Sequence, residues 1–327
     1  MRRLITWCLS FCSVPILALA QDSSLADTSP PRLTHTARVY FDAYYAALRP
    51  LPRTVENMTF GDATFAPFTG DHVQVGILPT WQLIQRTDAA YDLTGSASLI
   101  ANYVFGDGTR SRPYAGVFLE RGDRSETFGL QAGWLRFLTP SVALRTEARY
   151  RHASYAGRDD SYDLLIRFDP YLFGRANESL RSLPGFGAVD LNFTADYAVQ
   201  ATSPVAHTLS MSGLLAPFIA RWLQAGTDGW LFYDGAQQHQ IELFGRAYLP
   251  IDTRLVPFGE VFVSNETNTE DSHGARAGVR VYLARGVAFD AAFEWRNYQP
   301  FRDKQFAFAI PESRLLHAGL TTQLGLP

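Results

Sequence analysis

The run Val142-Ala143-Leu144-Arg145-Thr146-Glu147-Ala148-Arg149-Tyr150-Arg151 decides how the chain is read. Taken every second residue, it gives Val142, Leu144, Thr146, Ala148 and Tyr150 on one face and Ala143, Arg145, Glu147, Arg149 and Arg151 on the other. Side chains alternate across a β-strand, so this is a strand with one greasy and one charged face. The pattern recurs. Val287, Phe289, Ala291, Phe293 and Trp295 face away from Ala288, Asp290, Ala292, Glu294 and Arg296. Val189, Leu191, Phe193, Ala195 and Tyr197 oppose Asp190, Asn192, Thr194 and Asp196, and Leu316, Ala318, Leu320, Thr322 and Leu324 oppose His317, Gly319, Thr321 and Gln323.

Strands of about ten residues with this alternation are expected of a transmembrane β-barrel, greasy outside and polar inside. A soluble sandwich also alternates. Three features favour the barrel: dense charge of both signs on the polar face, aromatics such as Trp134, Tyr150 and Trp295 on the apolar face, and no fully apolar core strand. Within lipid every backbone group needs an internal partner, so the sheet must close.

Composition agrees. Of 327 residues, 19% are charged and 46% hydrophobic, with 23 Phe, 15 Tyr and 6 Trp against a single Lys304. Charge is sparser than the roughly 25% of soluble domains. No apolar run after residue 20 reaches the ~18 residues of a membrane helix, and a net charge of -3 argues against a nucleic-acid partner. Residues 1–20 read as a signal peptide: Arg2 and Arg3, an apolar run, then Ala18-Leu19-Ala20. Cys8 and Cys12 both lie within it, which leaves the exported chain without a thiol. A polar leader follows over residues 21–35, and the barrel is expected over 36–327.

The chain also reads as a duplication. PYAGVFLERGDRSETFGLQAGWLRFLTPSVALRTEARYR (113–151) parallels PFGEVFVSNETNTEDSHGARAGVRVYLARGVAFDAAFEWRN (257–297), with Gly133 on Gly278, Phe137 on Tyr282, Val142 on Val287 and Leu144 on Phe289. Ala66-Pro67-Phe68 likewise matches Ala216-Pro217-Phe218. The repeat units are about 36–173 and 187–327, each dividing into about eight strands. In the second unit, strands are expected near 206–216, 218–225 and 237–249. The fold class is therefore an all-β, antiparallel up-and-down transmembrane β-barrel of about 16 strands (8+8). Fourteen strands, or two tandem eight-stranded barrels, are the alternatives. Tight turns such as Thr139-Pro140-Ser141 fall on one side, and longer polar loops such as Arg151 to Asp160 on the other, as in an outer-membrane barrel.

The runs FAPFTGDHVQVGI (Phe65 to Ile77) and AGWLRFLTPSVALRTEARY (Ala132 to Tyr150) resemble a family of small bacterial outer-membrane proteins, the OmpA-like eight-stranded barrels. The resemblance implies two fused units. It departs at the end of the chain, which closes Leu324-Gly325-Leu326-Pro327 where such barrels finish on an aromatic.

Eight strands enclose an interior filled by side chains, whereas sixteen leave an aqueous channel. The inward face is expected to carry Arg38, Arg145, Arg149, Arg151, Arg167, Arg246, Arg276, Arg280 and Arg296 against Asp42, Glu147, Asp163, Asp190, Asp196, Glu242, Asp290 and Glu294. The function expected is a porin-like passive channel for small hydrophilic solutes, in the outer membrane, through this charged lumen. The alternative is a non-conducting structural or adhesion barrel acting through its loops; a lipid hydrolase is a third. Partners implied are outer-membrane lipid and lipopolysaccharide, with periplasmic chaperones and the barrel-assembly machinery during biogenesis. No cofactor, metal or catalytic residue is expected. His152 with Ser154, Asp159 and Asp160, and His207 with Ser210 or Ser212, are sets that chance supplies among 7 His and the many Ser at loop ends. The acidic stretch Asn265, Glu266, Asn268, Glu270 and Asp271 matches no calcium-loop spacing, and Asn57, Asn177, Asn192 and Asn265 head chance glycosylation triplets.

Overall fold

In the computed structural model the alternating segments form sixteen strands and no helix among the described residues. The structure describes residues 33, 36–48, 55–86, 92–106, 109–122, 125–139, 142–153, 160–173, 188–200, 206–249, 255–267, 271–284, 287–298 and 312–325. Residues 1–20, read from sequence as a signal peptide, and nearly all of the leader expected over 21–35 lie outside them. The strands are β1 (Thr36–Leu48), β2 (Val55–Pro67), β3 (Val73–Arg86), β4 (Asp92–Val104), β5 (Ser111–Gly122), β6 (Ser125–Thr139), β7 (Val142–Ala153) and β8 (Ser161–Phe173) in the first half. The second half holds β9 (Ala188–Gln200), β10 (Ala206–Ala220), β11 (Leu223–Tyr233), β12 (Gln237–Tyr248), β13 (Leu255–Glu266), β14 (Ser272–Ala284), β15 (Val287–Tyr298) and β16 (Glu312–Gly325). Each pairs antiparallel with its sequence neighbours, and β1 pairs with β16, so the sheet closes into one barrel.

Two expectations need correction. The tenth strand does not stop at residue 216, nor the eleventh at 225. The ladder continues through Pro217, which pairs with Val189, to Ala220, and the turn falls at Arg221-Trp222. Ala-Pro-Phe ends strand β2 but not β10, although Phe68 bridges Gln74 as Phe218 pairs with Gln224. Loop lengths also sort less cleanly than expected. Counted between strand ends, the side bearing the chain ends has two-residue connections at 140–141, 221–222 and 285–286 but also the longer ones 105–110, 174–187 and 249–254, while the other side includes the two-residue connection 123–124.

The outward face is a continuous apolar belt. Leu99, Val117, Leu119, Leu130, Leu164, Ile241, Leu243, Val261 and Val263 are each more than two-fifths exposed. Aromatics border them at both ends of the strands: Phe65, Tyr103, Phe105, Trp134 and Trp222 on the side of the chain ends, and Phe128, Tyr162, Tyr197, Tyr233 and Trp295 on the loop side. The outward-facing charges Arg121, Glu126 and Arg136 sit within a few residues of strand ends. A soluble protein rarely exposes so large an apolar surface; a band between aromatic girdles is what lipid requires.

The seam is unusual. On the loop side β1 pairs with β16 (Asp42↔Gly319 to Leu48↔Ser313) and β8 with β9 (Ser161↔Gln200 to Arg167↔Thr194). On the side of the chain ends the partners exchange. There β1 pairs with β8 (Thr36↔Phe173 to Arg38↔Tyr171) and β9 with β16 (Ala188↔Gly325 to Asp190↔Gln323). The wall is thus a single sixteen-stranded cylinder at one end and two eight-stranded closures at the other. Both sequence expectations are realised, at different heights.

Between the two pairings, residues 39–41, 168–170, 191–193 and 320–322 lack a ladder partner on the exchanging side. Unpaired backbone groups are costly away from water, so each needs a substitute. Asn192 supplies one. Its amide donates to the Leu320 carbonyl at 3.2 Å and accepts from the Thr322 N–H at 2.9 Å, imitating a peptide group across the gap. The Thr322 hydroxyl donates to the Leu191 carbonyl. Pro170, which has no N–H to place, occupies the gap in β8. Where the two closures meet, outward apolar side chains pack into the crease: Val39, Phe41, Val287, Phe289 and Leu320 on one side, and Leu138, Val142, Phe168, Val189 and Leu191 on the other.

Replacing Asn192 by Ala strips a donor and an acceptor from this gap and is expected to cost about 1–3 kcal/mol, read as a lowered urea midpoint for unfolding in detergent or vesicles. Leu243→Arg places a charge in the middle of the belt and is expected to cost roughly 2–4 kcal/mol in bilayers of normal thickness; an unchanged bilayer stability would argue that lipid does not cover this face.

Candidate functional site: the barrel interior

Inward-facing residues divide into a wet part and a packed part. On the loop side, short side chains of β3, β4 and β10 (Thr80, Thr94, Ser210 and Ser212) and Asp228 of β11 are exposed although they face inward, so this half of the lumen is an aqueous vestibule. One recess of its wall, about 520 Å³, is lined by Asp42, Tyr44, Phe60, Asp62, Thr80 and Gln82 among others. There Tyr44 stacks between Phe60 (4.9 Å) and His317 (4.4 Å), and His317 Nε2 lies 2.8 Å from Asp42.

Toward the chain ends the space closes. In the first half Leu33, Phe68, Val104, Tyr114, Leu135, Phe137, Ala143 and Tyr171 form a buried cluster. Leu33 belongs to the leader, so the segment expected to be merely polar contributes a plug residue, tied down by its carbonyl accepting from the Thr36 N–H. The second half has Ala188, Phe218, Tyr248, Val256, Phe258, Tyr282, Ala288 and Ala292 in the corresponding place. Gln74 and Gln224 repeat one role: each side-chain amide donates to a carbonyl of the neighbouring strand, Ala66 at 3.1 Å and Ala216 at 2.8 Å. This is the filled interior expected of eight strands.

Onto these clusters the charged residues are stacked. In the first half Arg145 lies 2.8 Å from Asp169 and 3.3 Å from Glu147; Arg167 lies 2.6 Å and Arg38 3.6 Å from Asp169. Arg149 and the Tyr114 hydroxyl also bind Glu147. Nearer the loops, Arg151 pairs with Asp163 and Glu120. In the second half Arg280 is held between Asp190 (2.6 Å) and Asp290 (2.5 Å), and Arg246 between Glu260 (2.6 Å) and Asp290 (3.4 Å). Above them Arg276 bonds to Glu242, Glu260 and Glu294, and Arg296 to Glu242 and Glu294. The Phe262 ring lies between the Arg276 and Arg296 guanidinium groups, at 4.4 and 4.6 Å, and covers Gly274, where any Cβ would collide with it. Cation–π contact of this kind adds to the ion pairs when water is excluded.

The inward residues expected from sequence are therefore sorted into two networks rather than one ring. Arg145, Glu147, Arg149 and Arg167 belong to the first; Asp190, Glu242, Arg246, Arg276, Arg280, Asp290, Glu294 and Arg296 to the second. Asp196 stands apart: its Oδ1 is buried without a hydrogen-bond partner. Asp169, Glu260 and Glu120 were not among the expected residues, although period two extended along β8, β13 and β5 reaches all three. With Gly133 set on Gly278, Leu135↔Arg145 of the first half falls on Arg280↔Asp290 of the second. The arginine has moved to the neighbouring strand and the carboxylates have moved with it. What is kept is an arginine clamped between carboxylates at the floor, not the identity of any position.

Burial decides what these groups can do. Arg38, Arg145, Arg280, Glu147 and Asp190 are each at most 1% exposed, so water does not reach the charges that anchor these layers. A pore-lining charge would be wet. Buried ion pairs add little net stability but are expensive to break singly, because removal of one partner strands the other.

The sets weighed for catalysis do not assemble. His207 faces outward and its Nδ1 lies 2.8 Å from the Tyr197 hydroxyl, whereas Ser210 and Ser212 face the lumen. His152 Nδ1 lies 2.7 Å from Asp160, and the Tyr150 hydroxyl donates to the same carboxylate at 2.7 Å. Those two hydrogen bonds, Tyr150 first, hold the Asp160 carboxyl below its ordinary range. Ser154 and Asp159 lie outside the described residues. Asn265 donates to Asp271 at 2.7 Å, while Asn268 and Glu270 lie outside the described residues. Among the described residues no group of His, Cys, Asp or Glu is disposed to hold a metal ion. Asn192 is occupied at the strand exchange.

No protein-family model and no curated protein matches the chain. Among solved structures, a bacterial polysaccharide outer membrane secretin aligns with 90% of this chain and 99% of its own at 8% identity and a TM-score of 0.45. A BenF-like porin from Pseudomonas fluorescens Pf-5 aligns over 89% and 98% at 9% identity and 0.43. The outer membrane protein OprD from Pseudomonas aeruginosa aligns over 91% and 96% at 8% identity and 0.39. Likenesses at this level identify neither a solute nor an activity.

Replacing Arg280 by Met takes the arginine from Asp190 and leaves Asp290 with only the longer contact to Arg246 at 3.4 Å and the Thr321 hydroxyl at 3.2 Å, and is expected to cost about 3–5 kcal/mol, visible in denaturant titration. The triple replacement Arg280→Met, Asp190→Asn, Asp290→Asn is expected to recover part of that loss; a triple variant less stable than the single would show that the carboxylates act independently of Arg280.

Proposed function

We propose that the protein is an outer-membrane barrel of porin-like type whose vestibule takes up small hydrophilic solutes and whose conduction is restricted by the two ion-paired floors. The apolar belt supports the membrane location, with lipid against its middle and lipopolysaccharide against the loop-side girdle. The observation that carries the restriction is the change from exposed Thr80, Thr94, Ser210, Ser212 and Asp228 to Arg38, Arg145 and Arg280 at most 1% exposed along the same lumen. Passage then runs through an eight-stranded closure, past side chains that must shift to admit a solute. Such a barrel conducts in small, infrequent steps, unlike an open sixteen-stranded pore.

The tight packing of both floors also favours a second reading, a structural barrel that does not conduct and works through its loops. Single-channel recording in planar bilayers separates the two. Wild-type protein is expected to give steps well below those of an open sixteen-stranded barrel. Tyr114→Ala and Tyr248→Ala each remove a plug ring, the latter stacked on Phe218 at 5.5 Å, and are expected to raise the step severalfold. Correctly folded wild type and variants that all remain silent would leave the structural barrel as the reading.

A further inference from the structure

The exchange of partners at the seam has a property that a fixed defect would lack. We infer that it is mobile: β1 and β9 trade β16 and β8 as partners along their length, so that the protein interconverts between forms with more or less of its wall divided into two barrels. This concerns the wall itself and holds whether or not the barrel conducts.

Register makes the exchange possible. Slipping a strand by one residue turns every side chain to the wrong face. Here both pairings preserve the faces. Extended four and five residues further, the β1–β8 register of Arg38↔Tyr171 would bring Asp42 opposite Arg167 and Ala43 opposite Ile166. The β9–β16 register of Asp190↔Gln323 would bring Asp196 opposite His317 and Ala195 opposite Ala318. Inward residues meet inward residues, and outward meet outward. In the structure Ala43 instead faces Ala318 and Ile166 faces Ala195. The four outward residues are thus a set that can be paired in two ways without a slip.

The inward partners suit both arrangements. Asp42 now binds His317 at 2.8 Å, and Arg167 binds Asp169. After migration toward the loops Asp42 gains Arg167, and His317 gains Asp196, whose Oδ1 is buried without a partner at present. Migration the other way extends β1–β16 and β8–β9, placing Arg38 opposite Gln323 and Tyr171 opposite Asp190, again polar against polar. Each step breaks one set of ladder pairs and forms an equal set, and it gives up the Asn192 and Thr322 bonds that bridge the present gap, which is why the observed position of the exchange is the favoured one. The groups at 39–41, 168–170, 191–193 and 320–322 simply move along. A duplicated unit explains the degeneracy: if β8 and β16 are equivalent last strands, β1 fits either.

Cysteine pairs test this in the full-length chain with Cys8 and Cys12 replaced by Ser. Directly opposed residues of antiparallel strands lie about 4.5–5.5 Å apart at Cα, inside disulfide range. Ala43→Cys with Ala318→Cys is expected to cross-link rapidly under a membrane-permeant oxidant. The pair Ala43→Cys with Ile166→Cys is expected to cross-link more slowly but to completion, while Ala43→Cys with Ala148→Cys, opposed in neither arrangement, stays open. Failure of the 43–166 pair where 43–318 completes, or equal reaction of 43–148, overturns the proposal. Hydrogen exchange on the unaltered chain provides the check free of substitutions. Amides of residues 42–45 and 164–167 are expected to exchange at least tenfold faster than those of 116–119 in β5; equal protection overturns it as well.

Discussion

Every backbone N–H and C=O within the belt must find a partner in the protein, because lipid offers none. That constraint forces closure, and in this chain closure has two solutions. β1 can be completed by the last strand of its own half or by the last strand of the other half. The structure uses both, and the rest follows from where it changes from one to the other: a wide wet vestibule above the exchange, two narrow filled cylinders below it. Asn192 matters out of proportion to its size because it stands in for a peptide group at the point of change.

The filling of the lower cylinders shows the same economy. An eight-stranded interior must be packed by side chains, and alternation brings charged residues there along with aromatic ones. The two halves meet this with the same device built differently. One clamps Arg145 between Glu147 and Asp169; the other clamps Arg280 between Asp190 and Asp290. Arginine suits the position because its planar fork satisfies two carboxylates at once and never loses its charge. The networks are better understood as setting which packing the floor adopts than as a source of stability.

Much of this was legible in the residues. Period-two alternation is local, so a run such as 142–151 declares its strand, its inward face and its outward face without knowledge of any neighbour. The belt, the girdle residues Trp134 and Trp295 and nearly all of the inward charges follow from it. Strand ends were less legible. Ala-Pro-Phe ends the ladder at Pro67 but not at Pro217, because the outcome depends on whether the adjacent strand still offers a partner. The wet or dry state of an inward charge was not legible at all. Arg145 and Asp228 are both inward residues of similar strands, and one is buried while the other is exposed.

The sequence by itself determined an all-β wall and its two faces, since alternation and turn residues are properties of neighbouring positions, and it pointed to about sixteen strands with fourteen as the alternative. Only the tertiary structure decided how that wall closes. The choice between one cylinder and two depends on pairing between strands far apart in the chain, and because both pairings keep every side chain on its proper face, no local pattern distinguishes them. The physical reason is the degeneracy of register at the seam, which the fold resolves by changing partners partway along four strands.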